Sequence, residues 1–267
     1  MSVPILLVDA FTDQPFRGNP AAICLLDDER DAGWMQAVAA EMNLSETAFV
    51  RPLGKTRELR WFTPRIEVDL CGHATLAAAH VLWEEGIVGA AEPIRFETRS
   101  GVLTCTRAEN RIELDFPATP AEPVELPAEL VAALWPGGDG PQPVFAGRTR
   151  FDHLIVLESA ADVLGLDPDF RQLAAVRTRG VMVTAPSDRD GEDFVSRFFA
   201  PAAGVDEDPV TGSAHYCLGP YWADRLGKTE LSAHQASERG GDVKVRIAGD
   251  RVVLGGEAVT VLRGELR

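Results

Sequence analysis

Arg60-Trp61-Phe62-Thr63-Pro64, followed by Val68-Asp69 and Gly72-His73-Ala74, is written a second time as Arg197-Phe198-Phe199-Ala200-Pro201, Val205-Asp206 and Gly212-Ser213-Ala214. The copies stand 137 residues apart up to the aspartates and 140 apart at the glycines, which places a three-residue insertion between those two elements. Solenoid repeats have periods of roughly 20–50 residues. A longer period marks two similar domains in one chain. Set about a pseudo-twofold axis, they bring both Gly-x-Ala elements to one cleft, where the active site is expected.

Outward from the first copy, His73–Glu85 is apolar nearly all round and is stopped by Gly86, the pattern of a helix buried on every side. The second copy opens a similar stretch, Ser213–Leu226, interrupted by Pro220, where a kink or an early stop is expected. Short apolar runs at Ile5–Ala10, Ala21–Leu26, Thr47–Val50 and Glu58–Phe62 predict strands, and Trp34, Val38 and Met42 predict a helix over Asp31–Met42. Ile94–Thr98, Val102–Thr106 and Ile112–Phe116 predict a meander. The second half reads as strand His153–Leu157, helix Phe170–Arg177 and strands Val181–Ala185 and Phe194–Phe199. Four prolines in Pro117–Pro127 mark the crossover between domains. The predicted halves are therefore 1–117, completed by a C-terminal strand at about 256–267, and 118–255.

The bulk composition of the 267 residues, 45% hydrophobic and 25% charged, is that of a folded chain. A net charge of −15 without a basic cluster excludes nucleic acid and anionic membrane as partners. No apolar stretch approaches the roughly 20 residues of a membrane helix. Residues 1–9 read as a first strand and not as a signal peptide, because no cationic start precedes the apolar run and Asp9 cuts it short. Cys24, Cys71, Cys105 and Cys217 lack CxxC spacing, which argues against structural zinc and a disulfide framework. A cytoplasmic protein is expected.

Each copy ends where a buried helix begins, with glycine at the entry. Free N–H groups and the helix dipole favour an anion there, and Gly72 and Gly212 let a ligand approach the backbone. Two such ends are expected to clamp a small carboxylate without any arginine. Glu46, in Leu44-Ser45-Glu46-Thr47-Ala48-Phe49, stands at the lip of an apolar strand, where desolvation suits a carboxylate to general acid/base work; spacing alone favours a capping or surface glutamate. His80, His153, His215 and His234 read as structural, Asp27–Asp31 as a solvated loop, and Cys24, Cys105 and Cys217 as small core residues.

Five phrases in order then carry a resemblance: Asp9-Ala10-Phe11-Thr12, Phe16-Arg17-Gly18-Asn19-Pro20-Ala21, Leu44–Phe49, Leu70-Cys71-Gly72-His73-Ala74-Thr75 and Asp206-Glu207-Asp208-Pro209-Val210-Thr211-Gly212-Ser213-Ala214. Together they resemble the phenazine-biosynthesis PhzF-like family. The resemblance implies the diaminopimelate epimerase fold, α/β (α+β), with two domains that each curl a mostly antiparallel sheet around a central helix. It implies a biosynthetic isomerase that shifts a proton without cofactor or metal, and a homodimer. Carried over by position, Glu46 is the acid/base, and His73, Asp208 and Ser213 hold and polarise the substrate. Backbone N–H groups near Gly72 and Gly212, with Cys71 and Thr211 beside them, take a carboxylate.

The related epimerases oppose two cysteines. Here Cys71 fills the first place and Thr211 the second, and a threonine hydroxyl is no base, so a two-thiol mechanism is disfavoured. Many family members carry Gln-Gly and then Gly-Arg near the C-terminus, where this chain has Gln235-Ala236-Ser237-Glu238-Arg239-Gly240-Gly241. Two rivals to the PhzF-like isomerase remain: an amino-acid epimerase or racemase pairing Cys71 with another base, and a catalytically silent binding protein on the same fold. Glu46, His73, Asp208 and Ser213 together favour the enzyme.

Overall fold

The computed structural model describes residues 2–138 and 140–267; Met1, where the first predicted half begins, and Asp139, within the second, lie outside the described residues. The chain divides into two compact units, Met1–Phe116 with Val253–Arg267, and Pro117–Val252.

In the first unit, β1 (Val3–Ala10), β2 (Asn19–Leu25), α1 (Ala32–Met42), β3 (Glu46–Leu53), β4 (Thr56–Phe62), β5 (Glu67–Val68), α2 (Gly72–Glu84), β6 (Ile94–Thr98), β7 (Gly101–Ala108) and β8 (Arg111–Pro117) follow in order. The second continues with β9 (Glu122–Pro123), α3 (Ala128–Leu134), β10 (Phe145–Arg148), β11 (Asp152–Val156), α4 (Ala160–Leu164), α5 (Phe170–Leu173), β12 (Gly180–Pro186), β13 (Phe194–Ala200), β14 (Val205–Glu207), α6 (Gly212–Leu226), β15 (Glu230–Gln235) and β16 (Gly241–Ala248). β17 (Arg251–Gly256) returns the chain to the first unit, where β18 (Ala258–Leu266) pairs antiparallel with β1.

Both units use one pairing scheme. β1–β2 is antiparallel, β2–β3 parallel, β3–β4 and β4–β5 antiparallel, β4–β6 parallel and β6–β7 antiparallel. β10–β11, β11–β12, β12–β13, β13–β14, β13–β15 and β15–β16 repeat that order of directions. Parallel neighbours need a crossover; α1 and α2 supply it in the first unit, and α4 with α5, then α6, in the second.

α2 packs against β1, β2, β3 and β18, and all its residues but Gly72, His80 and Glu84 are buried. Alanines at 77, 78 and 79 make this possible, because a thin helix lets strands approach from several sides. α6 packs against β15 and β16, so closely that a Cβ on Gly219 would stand 2.7 Å from Val245 Cγ1. α1 starts at Asp31, whose carboxylate accepts the Trp34 N–H at 2.9 Å; the end of the acidic run is thus a helix cap and not merely solvated loop.

Three expectations change. Arg60 holds Glu67 through two hydrogen bonds of 2.7 and 2.8 Å, and Arg197 holds Glu207 through two of the same lengths. Phe62 pairs with Glu67 and Phe199 with Glu207, so these glutamates are the true equivalents. The extra three residues therefore fall earlier, at the 3-10 turn Pro201–Ala203, and the Val68-Asp69 and Val205-Asp206 match is out of register. The expected helix Phe170–Arg177 ends at Leu173.

Pro220 does not stop α6, which continues to Leu226. A proline lacks the N–H that would bond the carbonyl four residues back. Here that carbonyl, on Tyr216, accepts the Thr119 N–H at 3.0 Å. The proline-rich segment is thereby docked onto the helix at the point where the helix has a spare acceptor.

Candidate functional site

Glu46 is the first residue of β3, beside Ala21 of β2 in the parallel ladder. Cys71 is the N-cap of α2, and His73 lies in its first turn. The Thr75 hydroxyl donates to the Cys71 carbonyl, which ties the cap to the helix. The His73 Nε2 stands 3.2 Å from Glu46 Oε2, with side chains 6% and 18% exposed. Cys71 Sγ is 3.6 Å from Nδ1 and 4.0 Å from Nε2 of the same ring. Burial pushes the His73 pKa down to about 3, so the ring beside Glu46 is neutral and their closeness is not that of an ion pair. Glu46, Cys71 and His73 each present a ligand atom within 4.8 Å of the others, so these are residues that could hold a cation.

The second unit carries another group. Thr211 is the N-cap of α6, and its hydroxyl donates to Asp208 Oδ2. Gln235, buried on β15, accepts the Thr211 N–H at 2.8 Å and donates to the Asp208 carbonyl at 2.7 Å and to Thr211 Oγ1 at 3.1 Å. One amide thus fixes the turn that presents Asp208. Arg179 grips the buried carboxylate of Asp152 with two hydrogen bonds, and its Nη2 also donates to Ser213 Oγ at 3.1 Å. The guanidinium rests near the rings of Phe151 and Phe198, 5.4 and 6.0 Å from their centroids. Burial opposes its charge, but the carboxylates of Asp152 and Asp208 outweigh burial and hold its pKa above the ordinary arginine value.

An arginine thus stands beside the entry of α6, where the sequence reading places backbone donors alone. An arginine has donors only, so its bond to Ser213 occupies a lone pair and leaves the hydroxyl proton to be given elsewhere. His215 is also more than inert core: its Nδ1 donates to the Thr211 carbonyl at 2.8 Å, as Thr75 does to Cys71 in the first unit. Burial lowers its pKa to about 4.

The shared register exposes an asymmetry. Thr47 pairs with Phe62, and Val181 pairs with Phe199. Since Phe62 and Phe199 are repeat equivalents, Glu46 corresponds to Gly180. A side chain at Gly180 would meet the Phe198 ring, with a Cβ only 2.3 Å from Cζ. One copy carries a carboxylate where the other carries glycine next to a fixed arginine.

The predicted residues thus fall into two groups: Glu46, Cys71, Gly72 and His73 in one unit, and Asp208, Thr211, Gly212 and Ser213 in the other. Arg179, Asp152 and Gln235 were missed. Gln235 had a signal, standing where the family carries glutamine. Asp152 and Arg179 had none, being 27 residues apart and joined only by the β11–β12 pairing.

Comparison with known proteins bears on the family and the fold. The sequence model of the phenazine biosynthesis-like protein family matches residues 8–264. An uncharacterized isomerase of Halalkalibacterium halodurans is 54% identical over 267 residues, covering 100% of this chain and 99% of that protein. The crystal structure of a PhzF-family phenazine biosynthesis protein from Enterococcus faecalis superposes with a TM-score of 0.93 at 43% identity, covering 100% of both chains. A probable proline racemase from Agrobacterium radiobacter, crystallised with bound carbonate, shares the fold alone: TM-score 0.65, 11% identity, and coverage of 99% of this chain and 93% of that one. The chain belongs to the phenazine biosynthesis-like, PhzF, family, and its fold is the sheet-dominated α+β fold of the diaminopimelate epimerase type.

Proposed function

We propose that this member of the phenazine biosynthesis-like family is a cofactor-independent isomerase that moves a proton on a small carboxylate-bearing substrate, with Glu46 as the general acid/base. The observation that carries the reading is the 3.2 Å contact between Glu46 and a buried, neutral His73. A neutral imidazole has one donor and one acceptor nitrogen. It complements a carboxylate by giving N–H and a carboxylic acid by receiving O–H, and a group that must shuttle a proton needs a partner for both states. Cys71, beside the ring, can give S–H or accept N–H as the tautomer changes. The name of the Halalkalibacterium halodurans relative supports an isomerase.

In the second unit, Ser213 and Arg179 are donors suited to a carboxylate or carbonyl oxygen, and Asp208 is held beside them. Their role in this reading is to bind and polarise the substrate.

A second reading is an amino-acid epimerase with Cys71 as one base, favoured by the thiol's closeness to His73. It lacks an opposed thiol, because Thr211 caps α6 where Cys71 caps α2. Deuterium wash-in over small carboxylates and amino acids, read by mass spectrometry, separates them. Exchange at two different carbons, or with a shifted double bond, supports the isomerase; exchange at one stereocentre with racemisation supports the epimerase. No exchange on any substrate counts against both and leaves a binding protein.

A further inference from the structure

We infer that Glu46, Cys71 and His73 form a site for a thiophilic divalent cation, zinc above all, which occupies the proposed acid/base and stops it. The inference rests on the proposed function for its consequence, not for its chemistry. A sulfur, an imidazole nitrogen and a carboxylate oxygen are a ligand set that zinc takes in three-ligand sites with an open fourth position. Magnesium and calcium prefer oxygen alone.

The spacing is near what zinc requires. With bonds of about 2.0–2.3 Å, two ligands of a tetrahedral ion stand about 3.3–3.7 Å apart. Nε2 and Oε2 are 3.2 Å apart, and Sγ is 4.0 Å from Nε2, so a small turn of the Cys71 and His73 side chains seats the ion. Cys71 and His73 share the anchored first turn of α2, and Glu46 begins β3, so the fold and not a mobile loop brings the ligands together. Cys71 and His73 are buried, while the Glu46 side chain is 18% exposed, which leaves a way in.

On binding, the Cys71 S–H bond breaks, its proton goes to the buffer, and the sulfur electron pair forms the bond to zinc. The ion is not reduced. Glu46 and His73 each give up the lone pair that the proton transfer uses, so turnover stops until a chelator removes the metal.

A second cluster, Glu192, His234 and Asp242, has its ligand atoms equally close. It lacks sulfur, and Arg189 stands 3.6 Å from Glu192 while the Lys244 charge acts on Asp242, so a cation is less welcome. It is the natural control.

The test uses the full chain stripped with a chelator and titrated with zinc chloride by calorimetry, then with cobalt(II) chloride in absorbance. One equivalent should bind, with a sulfur-to-cobalt band. Cys71→Ser should abolish the band and weaken zinc by about 100-fold. Glu46→Gln should weaken zinc yet keep the band, and His234→Ala should change neither. Absence of binding, binding indifferent to both Cys71→Ser and Glu46→Gln in folded variants, or binding lost in His234→Ala overturns the inference. Calorimetry needs no substrate, so this result stands apart from the search for exchange. Where wild-type exchange is found, zinc should halt it and a chelator restore it; exchange that persists at saturating zinc also overturns the inference.

Discussion

The Nε2 of His73 lies 3.2 Å from Oε2 of Glu46, a contact between the start of a buried helix and the start of a strand. Neither residue can face the other until α2 is enclosed by β1, β2 and β3. That enclosure also keeps the imidazole uncharged. The proposed proton chemistry is thus a product of packing around a small-residue helix.

Glu46→Gln should lower turnover by roughly 10²–10⁴ with the fold intact, because an amide cannot take up the proton. Steady-state rates on any substrate found by wash-in, with circular dichroism as control, check this. Near wild-type turnover would falsify the assignment.

Cys71→Ser should cost no more than about tenfold in turnover, since a serine hydroxyl still gives and accepts a hydrogen bond beside His73. A loss as deep as that of Glu46→Gln, in a folded variant, moves the choice to the epimerase.

Arg179→Met strands the buried Asp152 carboxylate and frees Ser213. We expect a loss of about 2 kcal/mol in urea unfolding, from the unpaired acceptor, and a raised KM. Asp152→Asn in the same chain should recover much of the stability and none of the KM. Recovery of both would remove Arg179 from substrate binding.

Gln235→Leu leaves the Thr211 N–H and the Asp208 carbonyl without their partner. About 2–3 kcal/mol should be lost, together with faster amide exchange at Thr211. Unchanged exchange at Thr211 would show that the turn holds without Gln235.

His215 supplies a pH prediction. Its folded pKa, about 4, lies below the ordinary 6.5, so the unfolded chain binds the extra proton between those values. Its contribution is complete above pH 6.5 and is lost as pH falls through 6.5 toward 4. The stability lost by the wild type between pH 7 and 5 should therefore exceed that lost by His215→Gln by about 2 kcal/mol. Equal losses in urea titrations at the two pH values would mean that His215 is protonated in the folded protein.

The repeat, the two enclosed helices and the family motifs were legible because each is written in contiguous residues: small side chains in His73–Glu85, glycines at 72 and 212, and an arginine and phenylalanines recurring at fixed spacing. Local chemistry made Glu46 only a candidate, and the family phrase around it was what raised it above a surface glutamate. The tertiary structure alone decided the true register of the copies, because Arg60–Glu67 and Arg197–Glu207 are contacts between strands and not matches of letters. It decided that Pro220 sits within an unbroken α6, because a distant N–H on Thr119 takes the spare carbonyl. It decided that Arg179 reaches Ser213, through a parallel pairing that brings Asp152 beside Gly180. A sequence records what each residue can donate, accept or bury; which partner it meets depends on strand register and helix enclosure, and those are set by the whole core at once.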